Sequence, residues 1–290
     1  MTEASQAMRR QNFRHILIQN KLVMSAFIVL AMFFCTAVFA DQIAPFDPLK
    51  ITDETFQPPS RKFLFGTDDL GRDVFSGVIY GARTSILIGV TVALLSGLIG
   101  VSVGATAGYA GGIWDDFLMR VTELFLIPPR FFLALVIAAL FGASLFNLIL
   151  VLTVTYWTTT ARLVRAEVLS LKERSFVEAS RAMGASHMRI LFYTILPNAL
   201  PLIITNVALM VGGVILLEAA LDFIGIGDTN RVSWGAMLHN GQHFIRDGWW
   251  MVVFPSLALA LLVLAINIIG DALNIALNPK ARAAYIDKSV

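Results

Sequence analysis

The sequence has a single cysteine, Cys35, and few charged residues. A lone cysteine excludes a disulfide bond within the chain. Charged residues make up 14% of the chain and hydrophobic residues 57%, whereas soluble domains average about 25% charged residues. This shortage of charge excludes an ordinary soluble domain and indicates a membrane protein with several spans. The formal net charge of +2 is too small to indicate a nucleic-acid partner.

The chain also lacks a G-x-x-x-x-G-K-[ST] loop, since the glycines of "GTDDLGRD" are not followed by Gly-Lys-Ser/Thr. Phosphates need that backbone cradle and lysine, so we expect no ATP, and no other cofactor, to bind this chain. No pairing of a nucleophile with a base is evident, so no catalytic residue is assigned and the chain is not expected to be an enzyme.

Metal-binding residues are also scarce. His239 and His243 stand four residues apart in "HNGQH", with Asp247 nearby as a possible third ligand. Gly241 weakens a helix between the histidines, and the chain offers no other cysteine. We therefore favour solvated or interface histidines and expect no metal site.

Long runs without charge are what the sequence does contain. A spanning helix needs about 20 apolar residues, and these runs predict an all-α membrane protein with six transmembrane helices. The predicted helices cover 22–40, 84–108, 117–140, 145–161, 198–217 and 250–270. The first run is longer than the apolar part of a signal peptide, which has about 7–15 residues, so it is expected to be a retained span. The last five helices form a core over 84–270.

Lysine and arginine in the connecting segments predict the orientation. Bases exceed acids in 1–21, in 162–197 and in 271–290, whereas 41–83 has five bases and seven acids and 218–249 has two bases and four acids. The rule places the three basic segments, and so both termini, in the cytoplasm and the two acidic loops outside. The turn at 109–116 is the weak point, because it is expected in the cytoplasm but contains two aspartates.

Small residues recur every fourth position along the second predicted helix. They are Gly89, Ala93 and Gly97, followed by Gly100, Gly104 and Gly108. This spacing lets another helix approach closely. Packing against helices of the same chain is the favoured interpretation, and contact with a second membrane subunit is the alternative.

A charged segment, "VEASRAMGASHMRILFYTILPNALP" at 177–201, separates two apolar runs. Residues 175–183 have helix-forming composition, and Gly184 allows a backbone conformation that other residues resist. "HMRILFYTIL" is expected to form a second, amphipathic helix that Pro197 stops. Helix, glycine corner and helix predict a compact hairpin on the inner surface, which can pass force from a cytoplasmic partner to the spans.

The hairpin resembles the EAA signature of permease subunits in ABC importers. Glu178, Ala179 and Gly184 match that signature, whereas Ser180 replaces its second alanine and Thr194 stands where an apolar residue is usual. The resemblance implies the type I importer fold, in which this segment is a coupling helix that docks in a cleft of an ATPase subunit.

Three other motifs resemble the second permease subunit of dipeptide, oligopeptide and nickel importers. They are "FGTDDLGRDVFSGVIYGAR" at 65–83, "FIGIGDTNRVSWGAML" at 223–238 and "INIIGDALNIALNPK" at 266–280. The family usually has aspartate where Asn278 stands. This resemblance implies a bacterial inner-membrane permease that forms half of a translocation pathway in membrane lipid. It also implies three kinds of partner: a second, homologous permease, two ATPases that bind ATP and Mg²⁺, and an outer substrate-binding protein.

The substrate and the transport class have alternatives. Peptides are the leading substrate, and nickel or other small solutes remain open, since specificity in such systems lies mainly in the binding protein. An ion-coupled secondary transporter would need ionisable residues deep in several spans and matching halves. A membrane scaffold or receptor would leave the hairpin without a role.

The segment "TDDLGRD" has two interpretations. In one, Thr67 or Asp68 caps a short helix and Arg72 pairs with a nearby carboxylate. In the other, the segment is a surface that meets the binding protein. The candidate docking residues are Asp68, Asp69, Arg72 and Asp73.

Arg130 follows two prolines, about halfway along the third predicted helix. A charge at that depth costs at least about 2.5 kcal/mol and usually faces a cavity or a partner. We hypothesise that Arg130 lines the pathway and attracts an anionic group, such as a peptide carboxylate. The alternatives are snorkelling or a pair with Glu123. Arg120 and Glu123 are three residues apart and are expected to pair near the inner surface.

Overall fold

The computed structural model describes residues 20–142, 144–228 and 230–277. Almost all of the predicted segment 1–21, and residues 278–290 of the predicted tail, lie outside the described residues. The part of the chain that is described contains helices and no strand, apart from one isolated bridge between Thr67 and Asp73.

The helices follow one another along the chain with short connections, except for the long segments at 44–73 and 224–233. They are α1 (Lys21–Val38), α2 (Ala40–Ile43), α3 (Val74–Ala110), α4 (Gly112–Leu126), α5 (Arg130–Phe141), α6 (Leu145–Lys172), α7 (Ser175–Ala182), α8 (His187–Arg189), α9 (Leu196–Phe223), α10 (Trp234–Gly241) and α11 (Trp250–Leu277). A π-helix at Ile190–Ile195 joins α8 to α9, and a 3₁₀-helix at Gln242–Phe244 follows α10.

Within the described residues, four helices are long and apolar enough to cross a membrane: α1, α3, the continuous stretch His187–Phe223 and α11. The bent pair of α4 and α5 gives a fifth if it counts as one span. The expectation of an all-α membrane protein is confirmed, but the count of six is not reproduced. The predicted span 145–161 lies in α6, which is less apolar because its middle is rich in threonine. Several of those threonines are buried against other helices, so α6 does not need a fully apolar surface.

The prediction of one helix over 117–140, with prolines that can kink it, is wrong about its continuity. Helix α4 ends at Leu126, α5 begins at Arg130, and the two axes are bent by 82°. Pro128 and Pro129 explain the break, since proline has no N–H to donate and disfavours helical geometry in the residue before it. Arg130 therefore stands at the start of a helix and not halfway along one.

The small residues of α3 pack against helices of the same chain, as favoured from their spacing. A Cβ added at Gly89 would lie 2.7 Å from Ile215 Cγ1 on α9, and one at Gly100 would lie 2.6 Å from Thr160 Cβ on α6. Helix α3 thus packs against α9 through Gly89 and against α6 through Gly100, and its bare backbone lets both helices approach closely.

The acidic segments pack together at one end of the bundle. Trp234 is fully buried, donates from its indole to the Val78 carbonyl at 2.9 Å and contacts Phe33 edge to face. Trp250 donates to the Thr67 carbonyl at 2.9 Å, which ties α11 to the segment before α3. The hairpin around Gly184 lies at the opposite end of α3, beside Tyr109. The two ends that the sequence distinguishes by charge are therefore the two ends of the fold.

Candidate functional site

The hairpin begins with α7, a two-turn helix attached to the bundle through one side. Val177 is fully buried and belongs to a cluster that includes Val164, Val168 and Ile195. Glu178 and Ala179, one and two residues further along, are exposed. The residues that match the signature therefore face outward from a helix whose apolar side is fixed.

A left-handed glycine ends α7, as predicted. Gly184 has a φ of +77°, a region that residues with a Cβ rarely adopt. The Gly184 N–H donates to the Arg181 carbonyl at 2.9 Å, and the Ala185 N–H donates to the Ser180 carbonyl at 3.1 Å. These bonds close the C-terminus of α7 in the manner of a Schellman motif. Nothing lies within 4 Å of a Cβ added at Gly184, so the position needs its φ angle and not extra room.

The second arm of the hairpin does not stop at Pro197, and that prediction is wrong. The chain is helical from His187 to Phe223 without a break, and Pro197 is the second residue of α9. The π-helix before it supplies the reason. The Leu196 N–H reaches back to the Leu191 carbonyl, five residues earlier, and this wider turn accommodates a proline ring that would crowd an α-helical carbonyl. The hairpin and the span α9 are thus one continuous element.

Exposed methionines flank the glycine corner. Met183 is 80% exposed and Met188 is 65% exposed, and exposed polar residues lie close to them in the chain, namely Arg181, Ser186, His187 and Arg189. Flexible apolar side chains on a polar surface are typical of protein contact sites. Neither methionine is predicted as a contact residue from the sequence, although Met183 directly precedes the glycine corner, a position that could have indicated it.

Tyr109, near the C-terminus of α3, anchors the hairpin. Lys172 Nζ donates to the Tyr109 carbonyl at 2.7 Å, and the Tyr109 hydroxyl contacts His187 Nδ1 at 3.1 Å. One residue of α3 therefore contacts both the last turn of α6 and the first turn of α8. No local pattern predicts this contact, because Tyr109 is far along the chain from Lys172 and His187.

We expect the substitution Lys172→Met to loosen the hairpin. The substitution removes the hydrogen bond from the Lys172 ammonium to a carbonyl at the C-terminus of α3. Such a bond stabilises the folded hairpin by about 1 kcal/mol. Cleavage by thermolysin within 173–186 should accelerate severalfold in the purified chain. Arg174→Met, an exposed position in the same segment, is the matched control and should leave the rate unchanged. Equal rates for the two variants would contradict the anchoring role.

Arg130 lies between α5 and α6. Its Nη2 donates to Thr159 Oγ1 at 2.7 Å, and its guanidinium carbon lies 4.2 Å from the centre of the Tyr156 ring. In the described part of the chain it makes no ion pair, so the alternative of a pair with Glu123 is not observed. A half-buried guanidinium with neutral partners keeps its positive charge uncompensated.

A polar cavity of about 700 Å³ opens between α4 and α6. Its lining includes Arg120, Glu123 and Arg162. The predicted pair of Arg120 with Glu123 is not formed among the described ion pairs, and both residues instead border this cavity. Arg165 makes two bonds to Asp115, at 2.5 and 2.6 Å. This pair explains an aspartate in the turn where the orientation rule expected bases.

At the other end of the bundle, "TDDLGRD" forms a tight turn before α3. Asp68 accepts hydrogen bonds from the backbone of Leu70 and Arg72 and from Arg72 Nε, the last at 2.6 Å. The predicted pairing of Arg72 with a carboxylate is therefore observed. The predicted cap is wrong, however, because Asp73 and not Thr67 or Asp68 caps the following helix, by accepting from the Ser76 N–H at 2.8 Å.

Asp69 lies in the same turn with a different environment. Burial raises the pKa of its carboxyl group, and the neighbouring charge of Asp68 raises it further, while Arg72 opposes the change. Asp69, Asp68 and Asp73 border a cavity of about 450 Å³ whose opposite wall comes from the loop after α9.

The two histidines of the outer loop contact each other, and one of them also contacts a backbone carbonyl. The ring centres of His239 and His243 are 6.0 Å apart, and His239 Nδ1 lies 2.6 Å from the Phe223 carbonyl oxygen. Among the described residues, no group of three His, Cys, Asp or Glu side chains is placed to hold a metal ion.

Comparison with known families matches most of this chain. Residues 100–283 match the family described as binding-protein-dependent transport system inner membrane component. Residues 9–59 match the N-terminal transmembrane domain of oligopeptide transport permease C.

Curated proteins of similar length resemble the chain over most of its extent. The dipeptide transport system permease protein DppC of Bacillus subtilis is 39% identical, covering 91% of this chain and 83% of the relative. The oligopeptide transport system permease protein OppC of the same organism is 36% identical, covering 91% and 87%. The probable D,D-dipeptide transport system permease protein DdpC of Escherichia coli is 35% identical, covering 90% and 89%.

A solved structure of the MetNI methionine ABC transporter, in an inward-facing conformation, shares the fold. The similarity has a TM-score of 0.58 at 21% identity, and it covers 70% of this chain and 96% of the transporter chain. The helices described above are therefore arranged as in an ABC importer permease. With this fold and the family match over residues 100–283, the chain belongs to the binding-protein-dependent transport system inner membrane components and is a multi-pass protein of the inner membrane.

Proposed function

We propose that this chain is the permease subunit of an ATP-driven importer for di- and oligopeptides, and that it forms half of the translocation pathway. The observation that carries the proposal is the similarity along most of the chain to permeases named for dipeptide or oligopeptide transport. The family itself is defined by dependence on a binding protein, which disfavours an ion-coupled carrier or a scaffold.

In this proposal the hairpin contacts an ATPase subunit. Glu178, Ala179, Ser180 and Gly184 form the contact, with the exposed methionines beside them. ATP and Mg²⁺ bind to two separate ATPase subunits, and a second, homologous permease supplies the other half of the pathway. The hairpin end of the bundle and both termini then face the cytoplasm.

The outer end meets the substrate-binding protein. The proposed contact residues are Asp68, Asp69 and Arg72 of the tight turn before α3, whereas Asp73, the fourth predicted residue, is buried and caps α3. Asp68 and Asp73 are held by hydrogen bonds to backbone N–H groups, so the turn presents a defined surface to a partner.

The geometry supports a mechanical route between the two ends. The hairpin is bonded to Tyr109 of α3 and runs without interruption into α9. Both helices extend to the outer end, where the indole of Trp234 bonds to α3 and α10 packs on α9. Motion of a bound ATPase at the hairpin would therefore displace α3 and α9 together and rock the pathway between inward-open and outward-open states.

Reconstitution tests this function. We expect the chain to co-purify with an ATPase pair and a second permease, and to support peptide uptake into proteoliposomes only with ATP and a loaded binding protein. Omission of nucleotide under an imposed ion gradient is the control. Uptake driven by the ion gradient alone would contradict the proposal.

We predict that Arg130→Ala lowers uptake of peptides with a free C-terminal carboxylate by about tenfold, since a charge-assisted hydrogen bond contributes about 1.5–3 kcal/mol. Peptides with an amidated C-terminus should be affected much less. Arg130→Lys, which keeps the charge, should restore part of the uptake. Equal loss for acid and amide peptides would contradict a role in binding the carboxylate and would indicate a structural role beside Tyr156.

A further inference from the structure

Helix α4 is attached to the bundle near its two ends and has little support between them. Among the described hydrogen bonds, only those from Arg165 to Asp115 join α4 to another helix. At the other end, Phe125 contacts Trp157 edge to face, with ring centres 5.7 Å apart. Of the 15 residues of α4, Thr122 alone is buried, and its hydroxyl donates to a carbonyl of the same helix. Helix α4 is therefore held by few contacts for its length.

The polar cavity between α4 and α6 lies along the weakly supported part of α4. The space has a volume of about 700 Å³ and is bordered by Arg120 and Glu123 of α4 and by Arg162 of α6. None of these three side chains forms an ion pair in the described part of the chain, and all three are exposed. Exposed charged groups in an open space do not pack, so they add little to the attachment of α4.

Both ends of α4 adjoin segments that can change direction. Gly111 and Gly112 have φ angles of +68° and +54°, and nothing lies within 4 Å of a Cβ added at either residue. Two successive glycines in open space have a wide choice of backbone angles. At the other end, Pro128 and Pro129 interrupt the helix, and α5 begins after a bend of 82°. Such short segments at the ends of an element are where hinge motions occur.

The ion pair of Asp115 with Arg165 closes the first turn of α4 onto α6. Arg165 donates from Nε and Nη2 to the two carboxylate oxygens at 2.5 and 2.6 Å, and the side chain of Asp115 is only 13% exposed. A bidentate pair with a largely buried carboxylate is stronger than an exposed ion pair. Because Asp115 stands three residues after Gly112, this pair fixes α4 immediately beyond the flexible glycines.

The same end of α6 also holds the hairpin. Lys172, seven residues after Arg165, donates to the Tyr109 carbonyl, and the Tyr109 hydroxyl contacts His187 of the hairpin. Gly111 and Gly112 lie between Tyr109 and Asp115 in the chain. A displacement of the hairpin therefore acts on both sides of the glycine hinge, through Tyr109 on one side and through α6 on the other.

We propose that α4 is a gating arm of the pathway, which swings about Gly111–Gly112 and Pro128–Pro129, and that the ion pair of Asp115 with Arg165 is the latch that holds it against α6. The role in gating rests on the proposed function, whereas the latch and the hinges are built from residues of this chain alone. Arg130 begins α5 directly after the second hinge, so release of the arm changes the width of the pathway beside it.

Distances between spin labels in the full chain, held in lipid nanodiscs, test the latch. Labels on Met119→Cys and Ala166→Cys, in a Cys35→Ser background, report the separation of α4 from α6, since the two positions lie on opposite walls of the cavity. We expect one narrow distance distribution while the latch is intact. Asp115→Asn and Arg165→Gln should each broaden it and raise the fraction of longer distances severalfold.

Three controls separate the latch from general packing. Asp116→Asn alters the adjacent exposed aspartate, which forms no ion pair among the described residues, and should leave the distances unchanged. Exchange of the charges, Asp115→Arg with Arg165→Asp, should restore the narrow distribution. Labels on Thr106→Cys and Ser170→Cys, at exposed positions of α3 and α6, should keep their distance in every variant, because these two helices are closely packed.

The latch is overturned if the Asp115→Asn and Arg165→Gln distributions equal that of the unsubstituted pair, or if the unsubstituted pair is already broad. Failure of the charge exchange to narrow the distribution would equally reject it, as would a matching change in the reference labels on α3 and α6. ATP-driven peptide uptake, measured separately, reports on the proposed function. Normal uptake without a distance response rejects the latch and keeps that function, whereas a distance response in a chain without such uptake rejects the gating role.

Discussion

Replacement of Gly104 by leucine is expected to leave little folded protein. A Cβ at this position would collide with the carbonyl oxygen of Ala161 and would lie 2.9 Å from Val164 Cβ. Overpacking costs about 1–3 kcal/mol where side chains can shift. Here the obstacle is the backbone of α6, so α3 and α6 must separate along their contact. Thermal unfolding followed by size-exclusion chromatography in detergent should show a strongly reduced monodisperse fraction and a lower Tm.

Thr106→Leu is the matched control for this prediction. Thr106 lies two residues further along α3 and is exposed on the bundle surface, so leucine there faces lipid and should be tolerated. Gly104→Ala should be intermediate, because it adds only the Cβ. Wild-type Tm for Gly104→Leu would contradict the close contact between α3 and α6.

Replacement of Gly184 by valine is expected to lower ATP-driven uptake by more than about tenfold while the chain stays folded. The φ of +77° costs a residue with a Cβ about 1–2 kcal/mol, and the cost is greatest for a β-branched side chain. The corner would then adopt another conformation and change the angle between α7 and α8. In our proposal this angle sets how the hairpin fits the ATPase subunit, so the loss should appear in coupling and not in stability.

Gly184→Asn distinguishes conformation from bulk. Asparagine adopts the left-handed region several-fold more readily than other side chains, and nothing lies within 4 Å of a Cβ at this position. Its uptake should therefore remain near that of the wild type, with ATPase co-purification intact. Equal uptake by the valine and asparagine variants, or equal loss, would show that the φ angle of the corner is not what coupling requires.

The correct predictions from the sequence rest on patterns among residues that are close together in the chain. The long apolar runs indicated a membrane protein because burial in lipid demands them, and Gly184 indicated a corner because few residues tolerate its backbone angle. The fourfold spacing of small residues in α3 indicated close helix packing. Each signal depends only on residues near one another in the chain, so a single sequence can reveal it.

The incorrect predictions concern places where neighbouring elements override local preference. Two prolines broke the helix that runs over 117–140, whereas Pro197 did not end its helix, because the π-helix before it provides a wider turn. Helix α6 is less apolar than a free span requires because α3 and α9 shield its threonines. Whether a proline ends a helix, and how apolar a spanning helix must be, therefore depends on the elements that lie next to it.

Local composition and backbone preference were sufficient to predict the class of protein, the charged ends of the fold and the hairpin with its glycine corner, because each depends on residues close together in the chain. The packed helices were needed to show that Tyr109 joins the hairpin to α3, that Arg130 starts a helix beside Tyr156, and that Asp69, Asp73 and Asp222 border one cavity. These contacts join residues far apart along the chain, and their energies depend on distances that exist only after the helices have packed.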